Sequence, residues 1–109
     1  MTPKAVVLRE EARRDIEEAV SYYAREAGEQ VTLRFIDELE TAFRAIANTP
    51  AIGSPRYAYE LDMPGLRTRA LKRYPYLIFY VERDAHIDVW RVLHTRRDVP
   101  AWLHETGNA

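Results

Sequence analysis

Residues 74–98 read Tyr-Pro-Tyr-Leu-Ile-Phe-Tyr-Val-Glu-Arg-Asp-Ala-His-Ile-Asp-Val-Trp-Arg-Val-Leu-His-Thr-Arg-Arg-Asp. Two runs in this stretch, Leu77 to Val81 and Ile87 to Leu93, are rich in the β-branched and aromatic residues that pack well on a pleated surface. The polar stretch Glu82 to His86 separates them, which predicts a β-hairpin. The hairpin empties into His94, Arg96, Arg97 and Asp98, a basic and imidazole cluster placed for anion contact at a strand end. Upstream, Leu66, Thr68, Ala70 and Lys72 alternate with Arg67, Arg69, Leu71 and Arg73. Side chains of a strand point alternately to its two faces, so this is a third strand with a basic face turned to solvent or to a partner.

The first half has helical spacing instead. Ala12, Ile16, Ala19, Val20, Tyr23 and Ala27 recur at steps of three and four, one stripe of a helix that Gly28 caps. A second helix is predicted from about Glu29, with Phe35, Ile36, Leu39, Ala42, Phe43 and Ile46 inward, and Asn48 and Pro50 end it. Two helices with so short a connection form a hairpin. Ahead of them, Ala5 to Leu8 is a short apolar run suited to an edge strand. Residues 48–65 hold Pro50, Gly53, Pro55, Pro64 and Gly65 without either period, and read as a long loop and a secondary candidate for partner contact. Val99 to His104 is expected to form a turn or short helix after Pro100. The fold class is therefore α+β: a short N-terminal strand, a helical hairpin on one sheet face, then an antiparallel three-stranded meander.

Composition narrows the class of function. A chain of 109 residues with 47% hydrophobic content has room for one domain, residues 1–109, with one core. It has no cysteine, which removes disulfides, thiolate metal sites and cysteine nucleophiles and leaves a cytoplasmic protein as the expectation. Neither a signal-peptide pattern nor an apolar run of about 20 residues is present. The net charge of −1 and pI near 6.3 argue against a general nucleic-acid binder. The distribution is uneven: residues 1–65 carry a balance of −4, residues 66–97 a balance of +5, and the last twelve −2. A basic β half is thus joined to an acidic helical half, a pattern that fits either two solvated faces or a sheet surface meeting an acidic partner.

Five segments carry a resemblance beyond these physical patterns. They are Glu11-Ala-Arg-Arg-Asp-Ile-Glu-Glu-Ala-Val-Ser-Tyr-Tyr, Asn48-Thr-Pro-Ala-Ile-Gly-Ser-Pro-Arg, Pro64-Gly-Leu-Arg-Thr-Arg, Tyr74-Pro-Tyr-Leu-Ile-Phe-Tyr and Ile87-Asp-Val-Trp-Arg-Val-Leu-His-Thr-Arg-Arg-Asp. Each is short, but in order and spacing the chain resembles the RelE/ParE superfamily of type II toxins, and within it the ParE branch. The resemblance implies a toxin held inactive in a hetero-oligomer by a ParD-type antitoxin that wraps it as an extended, partly helical segment. DNA contact would then come only through the antitoxin. ParE-like toxins are associated with inhibition of DNA gyrase, whereas RelE-like toxins cut messenger RNA on the ribosome, and a third possibility is a homologue that binds antitoxin without being toxic.

Chemistry bears on that choice. A metal-independent ribonuclease needs an acid and base and cations for the developing phosphorane charge. The residues available are His94 with Arg67, Arg69, Arg91 and Arg96, with Lys72 and Arg97 as further phosphate ligands. The superfamily's nucleases resemble one another in strong positive charge, while this chain has a net −1 and only Lys4 and Lys72 as lysines. No catalytic set is therefore assigned, and Arg67, Arg69, Lys72, Arg91, His94, Arg96, Arg97 and Trp102 are expected to contact the partner. Arg91, mid-strand among apolar neighbours, is expected to pair with Asp88 or Asp98. Tyr22, Tyr23, Tyr76 and Tyr80 suit core positions with a wet phenol, and Trp90 and Trp102 suit packing, with Trp102 beside Leu103 also placed to serve as an exposed anchor. The acidic run Glu10, Glu11, Asp15, Glu17 and Glu18 suits a helix N-terminus and not a metal site, and neither metal nor cofactor is expected.

Overall fold

A computed structural model describes residues 2–100 and 102. Strand β1 (Ala5–Leu8) is followed by helices α1 (Glu10–Glu26) and α2 (Glu29–Asn48), a 3-10 turn at Pro50–Ile52, a short helix α3 (Arg56–Glu60), and strands β2 (Leu66–Ala70), β3 (Tyr76–Glu82) and β4 (His86–His94). The four-stranded sheet has the order β1-β4-β3-β2. The meander is antiparallel, and β1 joins its far edge parallel to β4, Ala5 opposite His86 and Leu8 opposite Val89.

The helical hairpin forms as its stripes predict. Ala12 and Ala19 of α1 and Phe35, Leu39 and Ile46 of α2 are buried against Tyr76, Ile78 and Tyr80 of β3 and Ile87, Val89 and Val92 of β4. Gly28 turns the chain between the helices with φ +90, a conformation that disfavours any residue with a Cβ. Its N–H donates to the Tyr23 carbonyl at 3.0 Å, and its own carbonyl accepts the Thr32 N–H at 3.2 Å and the Thr32 hydroxyl at 2.8 Å. One residue thus ends α1 and anchors the first turn of α2.

The opposite face of the sheet is covered too. Phe79, Val81, Leu66 and Leu93 meet Leu61 and Val99, with Tyr57, Ala58, Met63, Trp90 and Trp102 packed around them. Successive residues of β3 therefore face different cores, which is why the run from Tyr76 to Val81 is apolar without alternation. Val99, Pro100 and Trp102 are helical, as expected after Pro100, while Leu103 and His104 lie outside the described residues. Trp102 is half-buried, its ring 4.7 Å from Phe79, so it is part of this second core and not an exposed anchor.

The Pro- and Gly-rich stretch 48–65 is shaped where a loop is expected. Its 3-10 turn and α3 are too short to leave a period in the sequence, and tertiary bonds hold them. Ser54 and Thr68 exchange both backbone N–H to carbonyl bonds, at 2.8 and 2.9 Å, across the outer side of β2. The Tyr80 hydroxyl, expected to reach water, is buried beneath this segment: it accepts the Gly53 N–H at 2.9 Å and donates to the Pro50 carbonyl at 2.7 Å. Gly53 is forced by that contact, since a Cβ there would lie 2.5 Å from the Tyr80 hydroxyl and 2.9 Å from the Thr68 carbonyl oxygen.

Tyr80→Phe leaves a buried donor and a buried acceptor unpaired, so it should lower stability by about 1–3 kcal/mol, read as a lower urea midpoint at unchanged slope. Gly53→Ala should lower it as well, by displacing the same hydroxyl.

Candidate functional site

The residues singled out in the sequence fall into two groups separated by β3. At one edge are Arg67, Arg69 and Lys72, on or just beyond β2; Arg91, His94, Arg96, Arg97 and Trp102 lie on β4 and its exit. Arg67 is opposite Tyr80 and His94 opposite Tyr76. Two strand spacings across and four residues along, about 10 Å and about 13 Å, therefore separate their backbones. The structure does not bring His94 together with Arg67 and Arg69 as the set a ribonuclease would need.

Apart from Arg96, the β4 group is taken up by internal bonds and packing. Trp90 is a β-bulge: Phe79 is opposite Arg91 and Tyr80 is opposite Val89, which leaves Trp90 without a partner. The extra residue resets the alternation, so that Val89 and Val92 both face the helical core and Arg91 is aimed at α1. Arg91 meets neither Asp88 nor Asp98, as its sequence neighbourhood suggests, but Asp15 on α1, through Nε and Nη2, each at 2.8 Å. Asp15 also accepts the Val92 N–H at 3.0 Å. Asp15 is thus an acceptor for the part of β4 that β1 leaves uncovered and not only a charge favouring the helix dipole. The bidentate carboxylate holds the Arg91 guanidinium above its ordinary pKa, against the effect of burial.

Asp88 is a second internal anchor that composition does not reveal. Arg9 binds it through Nε at 3.0 Å and Nη2 at 2.9 Å, Arg83 adds Nε and Nη2, and Trp90 Nε1 donates at 3.1 Å. The Arg9 guanidinium also lies 4.3 Å from the Trp90 ring centroid. The bond from Arg9, helped by Arg83 and Trp90 and opposed by desolvation, lowers the Asp88 pKa from 3.8 to about 2. At the strand exit, His94 Nδ1 accepts the N–H groups of Arg96 and Arg97, and Arg97 Nε pairs with Asp98 at 3.1 Å. Burial, then Arg97, lowers the His94 pKa. Arg96 is exposed and has no carboxylate partner among the described residues.

The β2 group is different. Arg67 is partly committed, donating to the Gly53 carbonyl at 2.8 Å and, more weakly, to Ala51. Beyond Ala70 the strand ends, Leu71 turns inward and is buried, and Lys72 and Arg73 leave the sheet. Leu71 shares the side of Arg67 and Arg69, which the register sets opposite Tyr80 and Ile78, and that side looks towards the helices instead of standing open to solvent. A groove of about 500 Å³ opens between this strand end and α2, lined by Arg34, Arg69, Lys72 and Arg73 with Asp37, Glu38 and the apolar floor of Ala42, Ala45 and Leu71. None of the four cations has a carboxylate within 4 Å among the described residues. Glu38 instead accepts the Arg73 backbone N–H at 3.0 Å. The α2 residues of this groove went unnoticed in the sequence, where Arg34, Asp37 and Glu38 look like an ordinary solvated helix face. Among the described residues no group of three or more His, Asp or Glu side chains is placed to hold a metal ion, and no helix is long and apolar enough to cross a membrane.

The model of the family described as "ParE toxin of type II toxin-antitoxin system, parDE" matches residues 6–99. The chain belongs to the ParE toxin family. It is thus a toxin of a type II toxin-antitoxin system, in agreement with the ParE-branch resemblance of its five segments. Among solved structures, one titled "Chromosomal ParDE TA system from P. aeruginosa" superposes with a TM-score of 0.71 at 17% identity, covering 85% of this chain and 97% of that one. At that identity the likeness is one of fold, and it agrees with the α+β arrangement read from the sequence. No curated protein matches the sequence.

Asp15→Ala would leave Arg91 without its carboxylate and the Val92 N–H without its acceptor, and should lower stability by about 2–3 kcal/mol. Glu10→Ala, which removes only the exposed pair with Arg14 at 3.5 Å, should cost under about 0.5 kcal/mol. The two urea midpoints side by side check both.

Asp88 binds a proton more weakly folded than unfolded, so its contribution to stability is complete above the unfolded value of 3.8 and is lost as pH falls towards about 2. Asp88→Asn should therefore flatten the acid limb of a stability-against-pH curve over that window, with little change in its shape at higher pH.

Proposed function

We propose that this chain arrests growth by binding DNA gyrase rather than by cutting RNA, and that a ParD-type antitoxin encoded beside it neutralises it in a cytoplasmic hetero-oligomer. Membership of the ParE family supports the toxin-antitoxin pairing. The observation that carries the choice against a nuclease is the condition of His94: its Nδ1 is engaged by two backbone donors, and Arg67 and Arg69 lie on the far side of β3 from it. A general base needs a free lone pair within reach of the proton it removes, with cations gathered at the same phosphate. Of the uncommitted cations only Arg96 is close to His94, while Arg34, Arg69, Lys72 and Arg73 sit elsewhere, in the α2 and β2 groove.

That groove suits the antitoxin. Its four cations outnumber Asp37 and Glu38, and its floor of Ala42, Ala45 and Leu71 fits an amphipathic segment that sets acidic side chains towards Arg69, Lys72, Arg73 and Arg34. Arg96 and the exposed side of Arg97 offer a lesser contact at the other end of the sheet. DNA is reached only through the antitoxin in this reading, because no continuous basic face remains once Arg9, Arg83, Arg91 and Arg97 are paired with carboxylates.

Expression without antitoxin should stop DNA replication and filament the cells, and purified toxin with gyrase and plasmid should accumulate linear DNA. Transcripts cut at codon-aligned positions would support the ribonuclease instead, and full growth at every expression level would mark a non-toxic antitoxin binder. Reversing charge in the groove with Arg69→Glu and Lys72→Glu together should weaken the antitoxin complex by at least about tenfold and reduce its salt dependence. An unchanged dissociation constant would exclude the groove as the contact.

A further inference from the structure

The bonds that occupy His94 at the exit of β4 also fix the path of the chain that follows. His94 Nδ1 accepts the Arg96 N–H at 3.2 Å and the Arg97 N–H at 3.1 Å. The His94 N–H donates to Asp98 Oδ2 at 3.1 Å, and the Asp98 N–H returns to the His94 carbonyl at 3.0 Å. A ring nitrogen that accepts two donors carries no proton, so this imidazole is neutral with its hydrogen on Nε2. The ring stands edge-on to Tyr76, centroids 5.3 Å apart and planes at 82°.

Beyond this turn the chain becomes the cover of the second core. The Asp98 carbonyl accepts the Trp102 N–H at 3.0 Å, Val99 is buried, and the Trp102 ring rests on Phe79. The bonds on His94 therefore set where this cover starts. We propose that neutral His94 is a latch that holds Val99 and Trp102 closed over Phe79, and that proton uptake at Nδ1 releases the cover and exposes the outer apolar face of the sheet. A proton on Nδ1 removes the acceptor of both amides and turns an N–H towards two N–H donors, so the turn cannot keep this geometry around the charged ring.

The charged surroundings act in both directions. Asp98 favours the proton, while burial, Arg97 and Arg96 oppose it more strongly. From β3 the ring meets Tyr76, whose own pKa is raised by burial. From α1, Arg14, Glu17, Glu18, Tyr22 and Arg25 face Arg97 and Asp98 across an open groove, where solvent screens them. Because the folded pKa lies below the ordinary 6.5, the latch contributes fully above that value and is lost as pH falls through the folded one.

The test uses the full chain with Trp90→Phe, which leaves Trp102 as its sole tryptophan. Imidazole ¹⁵N resonances and acrylamide quenching of Trp102 are followed from about pH 8 to about pH 5, the range in which histidine titrates. Expected are the Nε2–H tautomer at high pH and a rise in quenching whose midpoint coincides with the His94 titration, below 6.5. His94→Gln, which keeps an acceptor but cannot titrate, should hold Trp102 protected without a pH step. An Nδ1–H tautomer, quenching that stays flat while His94 titrates, or the same step in His94→Gln would each overturn the latch. If that variant does not fold, coincidence or divergence of the two midpoints in the parent decides.

Discussion

The mismatch in length between β1 and β4 governs how the two halves of this molecule are joined. β1 covers β4 only from His86 to Val89, and the Arg9 N–H extends that ladder by one bond to the Val89 carbonyl at 3.0 Å before the chain turns into α1. The edge of β4 beyond Val89 would be left with open donors, which is costly in a packed interior. Asp15 resolves this from the second turn of α1 by accepting the Val92 N–H and gripping the Arg91 guanidinium. The bulge at Trp90 sets Arg91 opposite Phe79 along this uncovered edge, and from there its guanidinium reaches the carboxylate of Asp15. A helix, a bulge and an ion pair thus do what two further residues of β1 would otherwise do, and they fix the rotation of α1 on the sheet.

The two-sided burial of the sheet explains which parts of the architecture were readable from sequence. The stripes of α1 and α2, the hairpin signal and the position of Gly28 are local, and each appears in the structure with boundaries close to those its pattern predicts. The second core is not local. Its sequence mark is the unbroken apolar run from Tyr76 to Val81, which a half-exposed strand would not carry, yet the cover comes from α3 and the residues after Asp98, whose own text is rich in Pro, Gly and charge. Five residues of helix between two prolines have too little length to show a period. Only the long-range bonds of Tyr80, Gly53, Ser54 and Thr68 define that segment, and none of those pairings can be deduced from neighbours in the chain.

The site was legible as a list of residue types but not as a geometry. The sequence pointed to Arg67, Arg69, Lys72, Arg91, His94, Arg96, Arg97 and Trp102 because they are polar or aromatic groups in or beside strands. It could not tell which would be used internally. Arg91 has Asp88 and Asp98 within seven residues and bonds to neither, since the bulge aims it at a carboxylate that is 76 positions away. Asp88, with its charge next to apolar Ile87 and Val89, has the one clear warning in the sequence of a buried acid that must find cations. Arg9 and Arg83 meet that requirement, and they are thereby withdrawn from the surface charge that a simple balance would count.

Sorting the cations by partner changes the meaning of the +5 balance over residues 66–97. Arg83, Arg91 and Arg97 are neutralised by carboxylates and Arg67 is held by carbonyls, so the charge still available is that of Arg69, Lys72, Arg73 and Arg96. Three of these line one groove, with Arg34 facing them from α2. Like charges so grouped repel one another, and nothing in the groove beyond Asp37 and Glu38 relieves them. An acidic segment lying there would gain attraction to each cation and also remove their mutual repulsion, whereas the same segment on the paired arginines of β4 would have to compete with Asp15, Asp88 and Asp98. Electrostatics therefore favours association at the α2 and β2 groove over the conspicuous His-Thr-Arg-Arg-Asp exit, even though the exit holds the denser run of basic residues.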